Sequence, residues 1–141
     1  FTPTEQRTLL TLWSIARSPL ILGANLTRMD SATESLLTNS EVLAVDQRTT
    51  GNHAVEEAGS SGNIVFWIAQ EGSDPILAVF NRTDGPARVA LPPWKKLGDQ
   101  FNLNQSSYRV RDLWQRKDLG PRRSLSVTLP PHGSALYRLN P

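Results

Sequence analysis

The sequence predicts an α+β chain, with a helix, a short strand and further helical turns over residues 1–50 and a small antiparallel β-sandwich over residues 51–141. Two observations predict this fold class. Apolar residues recur with helical spacing up to about residue 50, and they alternate with a period of two afterwards. Clusters of glycine, proline, serine and aspartate then recur about every ten residues, which is typical of the turns between short antiparallel strands.

The composition fits a globular protein and excludes several classes of function. Hydrophobic residues make up 38% of the 141 residues and charged residues 20%. The formal net charge of +2 is too small to predict a nucleic-acid partner. The apolar runs are far shorter than a membrane span, so no membrane partner is expected either. The chain has no cysteine, which excludes disulfides and thiolate metal sites.

The first helix is predicted from its N-terminus. The sequence Thr-Pro-Thr-Glu over residues 2–5 is a capping box with proline at the first helical position. An apolar face is predicted from the helical spacing of Leu9, Leu12, Trp13 and Ala16. Pro19 disfavours helical backbone at Ser18, so the helix is predicted to end there.

The next elements resemble part of a parallel α/β unit. The wholly apolar run over residues 20–22 predicts a strand that is covered on both faces. A second capping box over residues 31–34 predicts a short helix, and a last helical turn is expected over residues 41–45. A single parallel strand has no neighbour in this region, so we expect residues 1–50 to lack a core of their own and to be the less stable half.

The second half is predicted to form a sandwich of short strands. Residues 76–80 are apolar on both faces, which favours a central strand. Other strands are expected over residues 64–69, 87–91, 108–114, 125–129 and 135–139. Residues 92–107 are expected to be a loop or a frayed extra strand, and Gly120-Pro121 is expected to be a turn.

The acidic residues offer no catalytic pair. Glu56 and Glu57 are neighbours in an expected strand, so their side chains point to opposite faces. Asp30 and Glu34 fit helix capping, and Asp112 beside an arginine fits a salt bridge. No catalytic residue is therefore assigned.

Metal and nucleophile sites are not expected. His53 and His132 have no second ligand at a useful spacing, and His132 is expected to bond a backbone carbonyl. Ser14, Ser18 and Ser134 lack the context of a nucleophile elbow. The sequence therefore assigns no metal-ligating residue, no cofactor-binding residue and no cofactor.

Basic and aromatic residues raise two further classes of function. Residues 108–123 interleave the two types, a pattern that can bind nucleic acid or another polyanion. The expectation is a solvated, salt-bridged face, with a polyanion site and a contact with the missing barrel as alternatives. The basic residues are Arg109, Arg111, Arg116, Lys117, Arg122 and Arg123. Trp94 follows two prolines and is the best candidate for stacking on a sugar, whereas Trp67 is expected in the core or in an interface. An independent carbohydrate-binding β-sandwich is thus the alternative function.

Several motifs in this order resemble one known family. In the first half they are Ser-Pro-Leu-Ile-Leu-Gly at residues 18–23, Leu-Leu-Thr-Asn at 36–39 and Val-Leu-Ala-Val-Asp-Gln at 42–47. In the second half they are Val-Arg-Asp-Leu-Trp at residues 110–114 and Leu-Pro-Pro-His-Gly at 129–133. Together they resemble the last turn of the (β/α)8 barrel and the C-terminal β-domain of retaining α-galactosidases in glycoside hydrolase family 27 and its clan.

This resemblance implies a domain organisation and a role. Residues 1–50 would be the C-terminal end of the catalytic barrel, and residues 51–141 the C-terminal β-sandwich domain. The family's two catalytic aspartates lie in motifs that no position here matches, so the chain is expected to be structural and inactive alone. Ala24-Asn25 stands where galactosidases often carry Asn-Asp, which leaves the sugar open.

The resemblance also implies partners. They are the N-terminal barrel portion, the carbohydrate substrate of the parent protein and, through uncovered apolar surface, a second copy of the chain. Phe1 is no natural start, so the true N-terminus is expected to be missing. Many animal and plant members of this family are disulfide-bonded, so the absence of cysteine favours a bacterial protein. The location is left open, with a secreted or periplasmic protein as one option.

Overall fold

The computed structural model describes residues 1–21, 23, 25–55 and 62–141. This part of the chain contains four α-helices and eight strands, which are connected by loops. The helices are α1 (Pro3–Ile15), α2 (Ser31–Leu37), α3 (Ser40–Arg48) and α4 (Trp94–Phe101). The strands are β1 (Thr50–Val55), β2 (Ile64–Glu71), β3 (Asp74–Asn81), β4 (Ala87–Ala90), β5 (Tyr108–Asp112), β6 (Lys117–Arg122), β7 (Ser126–Leu129) and β8 (Ser134–Asn140).

Helix α1 begins as predicted and ends earlier. The Thr2 hydroxyl accepts from the Glu5 amide at 3.3 Å, and the Glu5 carboxylate accepts from the Thr2 amide at 2.7 Å, which confirms the capping box. The helix ends at Ile15, and Arg17 then takes a left-handed conformation with φ of 53°. The turn therefore precedes the position that Pro19 predicts.

The apolar face predicted for α1 is not the face that the chain buries. The side that meets the sheet consists of Leu10, Thr11, Ser14 and Ile15. Leu12 and Trp13 are 38% and 36% exposed. The prediction was wrong because two of the four buried residues are hydroxyl-bearing, and a hydrophobic pattern does not register them.

Helix α2 begins one residue away from the predicted capping box. Asp30, for which helix capping was predicted, is its N-cap in place of Ser31, and its carboxylate accepts from the Thr33 amide at 2.8 Å. A carboxylate directly before the first helical residue reaches this amide and also favours the positive end of the helix dipole. Helix α3 is longer than the single turn predicted over residues 41–45, and Asn39 caps it.

The strand predicted over residues 20–22 is not formed at Leu20 or Ile21, and Leu22 lies outside the described residues. Ile21 is 83% exposed. A parallel strand needs a neighbour to accept its backbone hydrogen bonds, and no other described strand runs beside this segment.

The sandwich consists of a six-stranded sheet and a two-stranded sheet. The six-stranded sheet has the order β1-β2-β3-β8-β5-β6, the two-stranded sheet pairs β4 with β7, and all pairs are antiparallel. Strand β3 lies between β2 and β8, with Leu77 opposite both Ile68 and Tyr137. The prediction of a central strand over residues 76–80 is confirmed.

The main core lies between the two sheets. Alternate side chains of the large sheet, including Phe66, Leu77 and Tyr137, pack with Val89 and Leu129 of the small one. Helix α4 closes this core through two aromatic residues, Trp94 and Phe101, which are buried almost completely. The prediction that residues 92–107 form a loop or a strand is wrong over α4, because a proline pair favours a helix start as well as a turn.

A second core lies on the opposite face of the large sheet. Ile76, Ala78 and Leu136 on this face pack with Ile15 of α1 and Val45 of α3. This face explains why residues 76–80 are apolar on both sides. The inner faces of α1 and α3 are therefore buried against the large sheet rather than in a core that residues 1–50 form by themselves.

Edge strands β1 and β6 flank the large sheet. Gly120-Pro121 lies within β6 rather than in a turn, so that prediction is wrong. Proline is tolerated in an edge strand because its missing amide can face solvent.

No helix in the described part of the chain is long and apolar enough to cross a membrane.

Candidate functional site: the helix–sheet junction

The most elaborate set of polar contacts lies where the N-terminal helices meet the large sheet. We call this region the helix–sheet junction: α1, α3, the β5–β6 turn and the adjoining face of β8. Its apolar centre is the second core around Ile15 and Val45. Several of its polar contacts join residues that are between 37 and 126 positions apart in the sequence, so the junction connects the two predicted halves.

Arg111 carries the strongest contact of the junction. Its Nε and Nη2 each donate to one carboxylate oxygen of Glu41 at 2.7 Å, and its Nη1 lies 3.0 Å from Asp118. The hydrogen bond from Arg111 holds the pKa of Glu41 below its ordinary value of 4.5, against the opposing effect of partial burial. The guanidinium thus joins helix α3 to edge strand β6.

Two asparagines fix the helix ends. Asn39 is 3% exposed, and its Nδ2 donates to the Leu113 carbonyl at 3.0 Å while its Oδ1 caps α3. Asn52 donates to the Ile15 carbonyl at 2.7 Å, which satisfies the C-terminal end of α1. Each asparagine therefore connects a helix end to a different part of the chain.

Hydroxyl groups line the contact between α1 and β8. Thr11 donates to the Arg7 carbonyl at 2.8 Å, lies 3.0 Å from the Ser134 hydroxyl and accepts from the Trp114 indole at 2.9 Å. Thr8 donates to the His132 carbonyl at 2.8 Å. These bonds pair the buried hydroxyl of Thr11 against the sheet, whereas the hydroxyl of Ser14, on the same side of α1, is buried without a hydrogen-bond partner among the described residues.

The opposite side of the helical segment is apolar and exposed. We call this side the outer face, and it comprises Leu12, Trp13, Ile21 and Leu26, each at least 36% exposed. Beside Leu12 lies a cleft of about 410 Å³ between α1 and strands β2 and β3. Its lining consists of four apolar residues and four polar or charged ones: Leu12, Val65, Trp67, Phe80, Thr8, Asn81, Arg82 and His132. Exposed large apolar side chains in this number are candidates for a contact site.

Two of the residues considered for chemistry have hydrogen-bond partners within the chain. His132 Nε2 lies 2.9 Å from the Asp84 carboxylate rather than at a backbone carbonyl, so that expectation is wrong. Asp112 accepts from the Gln115 amide at 2.9 Å, where a salt bridge was expected. Among residues 1–21, 23, 25–55 and 62–141, no group of three or more histidine, aspartate or glutamate residues could hold a metal ion. Glu56 and Glu57 lie outside the described residues.

The basic residues of β5 and β6 do not form a uniform positive surface. Arg111 is paired with Glu41 and Asp118, as a salt-bridged face requires. Arg109 is exposed and borders a groove of about 440 Å³ that also contains Asp74, Asp118 and Arg138. Mixed charge of this kind does not favour a polyanion.

The tryptophan proposed for sugar stacking is buried. Trp94 is 0% exposed, and its indole donates to the Arg122 carbonyl at 2.7 Å. Its ring meets Tyr108 edge-on at 6.2 Å. The prediction that Trp94 lies in a loop with a free face is wrong, and the proline pair before it was the misleading signal. Trp67 is half-buried beside the second core, in agreement with its expected place.

The chain is similar to known proteins over nearly its whole length. Residues 61–139 match the model of a protein family described as the α-galactosidase C-terminal β-sandwich domain. The chain belongs to this family. The α-galactosidase of Coffea arabica is 29% identical over 142 residues, which cover 99% of this chain and 36% of that protein.

Solved structures of this family superpose on the whole chain. The family 27 β-L-arabinopyranosidase of Geobacillus stearothermophilus is 38% identical, with a TM-score of 0.87, and the match covers 100% of this chain and 31% of that one. For α-galactosidase I of Mortierella vinacea the identity is 26% and the TM-score 0.86, over 99% of this chain and 36% of that one. The chain therefore spans about a third of the length of these relatives. The superposition covers the N-terminal helices of this chain as well as its sandwich.

Proposed function

We propose that this chain is the C-terminal part of a retaining α-galactosidase-like glycoside hydrolase, and that its own role is structural. In this proposal residues 1–50 complete the catalytic barrel, and residues 51–141 form the domain that supports it. Family membership and the chain's share of its relatives' length support the first part. The carbohydrate substrate belongs to the complete protein.

The observation that carries the proposal is that the helical segment has apolar residues on two sides, one packed on the sheet and one exposed. Its inner side is fixed to the sheet by the second core and by the contacts of Arg111, Asn39 and Asn52. Its outer face exposes Leu12 and Trp13 on the same helix. A helix that is apolar on two sides fits between two bodies, and the barrel portion is the second body that this family offers.

The structural role is tested by transplanting the chain. We would replace the matching segment of the Geobacillus stearothermophilus enzyme by this chain and measure both thermal unfolding and hydrolysis of that enzyme's arabinopyranoside substrate. The chimera should fold and be active. Trp13→Asp on the outer face should lower its melting temperature and activity, because a buried contact would gain an unpaired charge.

The control is Arg88→Glu, which also introduces a carboxylate, at an exposed position on the small sheet. It should leave the chimera unchanged. Equal behaviour of Trp13→Asp and Arg88→Glu in a folded chimera would contradict a docking role for the outer face. The alternative of an independent carbohydrate-binding module rested mainly on Trp94, and the burial of that residue removes this support.

A further inference from the structure

The basic residues of segment 108–123 divide between the two sides of the large sheet. Arg111 lies on the side of the helices, where Glu41 and Asp118 pair with it. Arg122 stands opposite Tyr108 in the β5–β6 pair, and residues directly opposite each other in an antiparallel pair share a face. Because Tyr108 is buried in the main core, Arg122 lies on the side of the small sheet, away from the helices.

Two hydrogen bonds join this end of β6 to the start of α4. The Trp94 indole donates to the Arg122 carbonyl at 2.7 Å, and the Trp94 amide donates to the Arg123 carbonyl at 3.0 Å. Lys95 and Lys96 follow Trp94 directly, and all four basic side chains are exposed. We call this group the basic cluster: Lys95, Lys96, Arg122 and Arg123.

The basic cluster is not neutralised by acidic residues of the same segments. Residues 91–98 and 119–129 contain no aspartate or glutamate, and Asp99 follows one helical turn after Lys95. None of the four basic residues takes part in a salt bridge among the residues that the structure describes. The cluster carries a formal charge of +4, whereas the rest of the chain, with 11 basic and 13 acidic residues, carries −2.

Two of these cations also lie where a helix disfavours them. Lys95 and Lys96 belong to the first turn of α4, which contains no acidic residue. The N-terminal end of a helix carries a partial positive charge, so a cation there is unfavourable and an anion is favourable. An anionic ligand at the basic cluster would therefore compensate the lysines, the arginines and the helix end together.

The surroundings of the cluster narrow the class of ligand. Single-stranded nucleic acid needs exposed aromatic rings for its bases, and both Trp94 and Tyr108 are buried. Stable binding to a membrane surface takes apolar side chains as well as charge, and the large exposed hydrophobic residues of the described part of the chain all lie within residues 1–26. Beside the cluster are the exposed hydroxyls of Ser124 and Ser126, which can donate to and accept from sugar hydroxyls.

We propose that the basic cluster binds an acidic polysaccharide, a sugar polymer that carries carboxylate groups. The guanidinium groups of Arg122 and Arg123 match carboxylates in a bidentate manner, and the two lysines add point charges. The choice of a polysaccharide over other polyanions rests on the proposed function, in which the parent protein acts on carbohydrate. The cluster would hold that protein on a charged polymer by the side of the sandwich that faces away from the helix–sheet junction.

The test is the binding of fluorescently labelled polygalacturonate fragments to the 141-residue chain. Binding should be saturable, and the fourfold variant Lys95→Gln/Lys96→Gln/Arg122→Gln/Arg123→Gln should weaken it at least about tenfold. The matched control is Arg48→Gln/Arg109→Gln/Arg116→Gln/Lys117→Gln, which removes the same charge from four other exposed positions. It should weaken binding less than about twofold, because these residues lie outside the cluster.

The design separates the cluster from net charge and from loss of the fold. Equal weakening in the two fourfold variants would show that overall charge drives the binding and would overturn the proposal, as would the absence of binding. Thermal unfolding checks that both variants fold. If the cluster variant does not, the double variant Lys95→Gln/Arg123→Gln takes its place and should weaken binding at least about threefold.

Three other ligands test the class of polymer. Dextran, which is neutral, should not bind, and binding of dextran as tight as that of polygalacturonate would overturn the role of the charges. A DNA duplex and phosphatidylserine vesicles should bind more weakly than polygalacturonate. Tighter binding of either would overturn the polysaccharide as the ligand.

The results are also separable from those for the proposed function, because the two experiments share no variant. A chimera that behaves as expected, together with a cluster that binds no polygalacturonate, would overturn this inference alone. Binding that depends on the cluster, together with a chimera that is insensitive to Trp13→Asp, would contradict the docking role of the outer face and leave the cluster as a binding site.

Discussion

Arg111 on β5 donates hydrogen bonds of 2.7 Å to both carboxylate oxygens of Glu41 on α3, and the two residues are 70 positions apart in the sequence. This bidentate geometry is the strongest form of the arginine–carboxylate contact. Because Arg111 also contacts Asp118, one side chain connects the helical segment, an inner strand and the sheet edge. The helices and the sandwich are therefore coupled as one structural unit.

Glu41→Gln should remove the ion pair with Arg111 and lower the free energy of unfolding by roughly 1 kcal/mol. The value is modest because the pair is partly solvated. The pKa of Glu41 is lowered in the folded chain, so its contribution is present above the ordinary value of 4.5 and is lost as the pH falls through the lowered one. The stability difference between wild type and Glu41→Gln should thus be constant near neutral pH and shrink below about pH 4.5. Urea unfolding across this range measures it, and a difference that grows with acid would contradict the assignment.

Gly133→Ala should destabilise the end of the β7–β8 turn by about 1–3 kcal/mol. An added Cβ would lie 2.7 Å from Cδ and Cγ of Pro130 and 2.9 Å from its carbonyl oxygen, so the turn would have to shift. Gly85→Ala is the matched control, because an added Cβ there meets nothing within 4 Å. Thermal unfolding of the two variants should differ by several degrees, and equal melting temperatures would show that the turn yields freely.

Hydrogen exchange should divide the helical segment internally. Ile15 of α1 and Val45 of α3 are 0% exposed, whereas α2 has no buried residue. Amides of α2 should therefore exchange at least about tenfold faster than those in the middle of α1 and α3. The sequence alone predicts early opening of all of residues 1–50, and uniform fast exchange over α1, α2 and α3 would favour that simpler view.

The isolated chain should associate with itself through the outer face. Burial of one large apolar side chain contributes about 1.5–3 kcal/mol, and Leu12, Trp13, Ile21 and Leu26 are all exposed. Light scattering at micromolar concentration should show dimers or larger species, and Leu12→Lys should shift them toward monomer. Arg88→Glu should not. A monomer that is unaffected by Leu12→Lys would show that the outer face does not mediate self-association.

The sequence predicted those elements that local rules determine. The capping box of Thr2 and Glu5 and the doubly apolar strand around Leu77 were found because each signal lies within a few residues. The buried side of α1 was not predicted from the sequence. Thr11 can be buried there because its hydroxyl forms hydrogen bonds with Trp114 and Ser134, which are more than 100 positions away.

The junction itself was predicted in part. The sequence suggested a salt-bridged role for the arginines near residue 111, but it could not name Glu41 as the partner, since the pairing depends on how α3 lies on the sheet. Helix α4 was missed because Pro92 and Pro93 favour a turn as much as a helix start. The resemblance to family 27 came from motif order, which survives such local errors.

The central claim is that this chain supplies scaffold and not chemistry, and its most direct test is an assay of the purified 141-residue chain on p-nitrophenyl α-galactoside. We predict no hydrolysis above the rate without protein at any substrate concentration, because no position matches the family's catalytic aspartates. Saturable hydrolysis that copurifies with the chain, and that is lost on its thermal unfolding, would contradict the account.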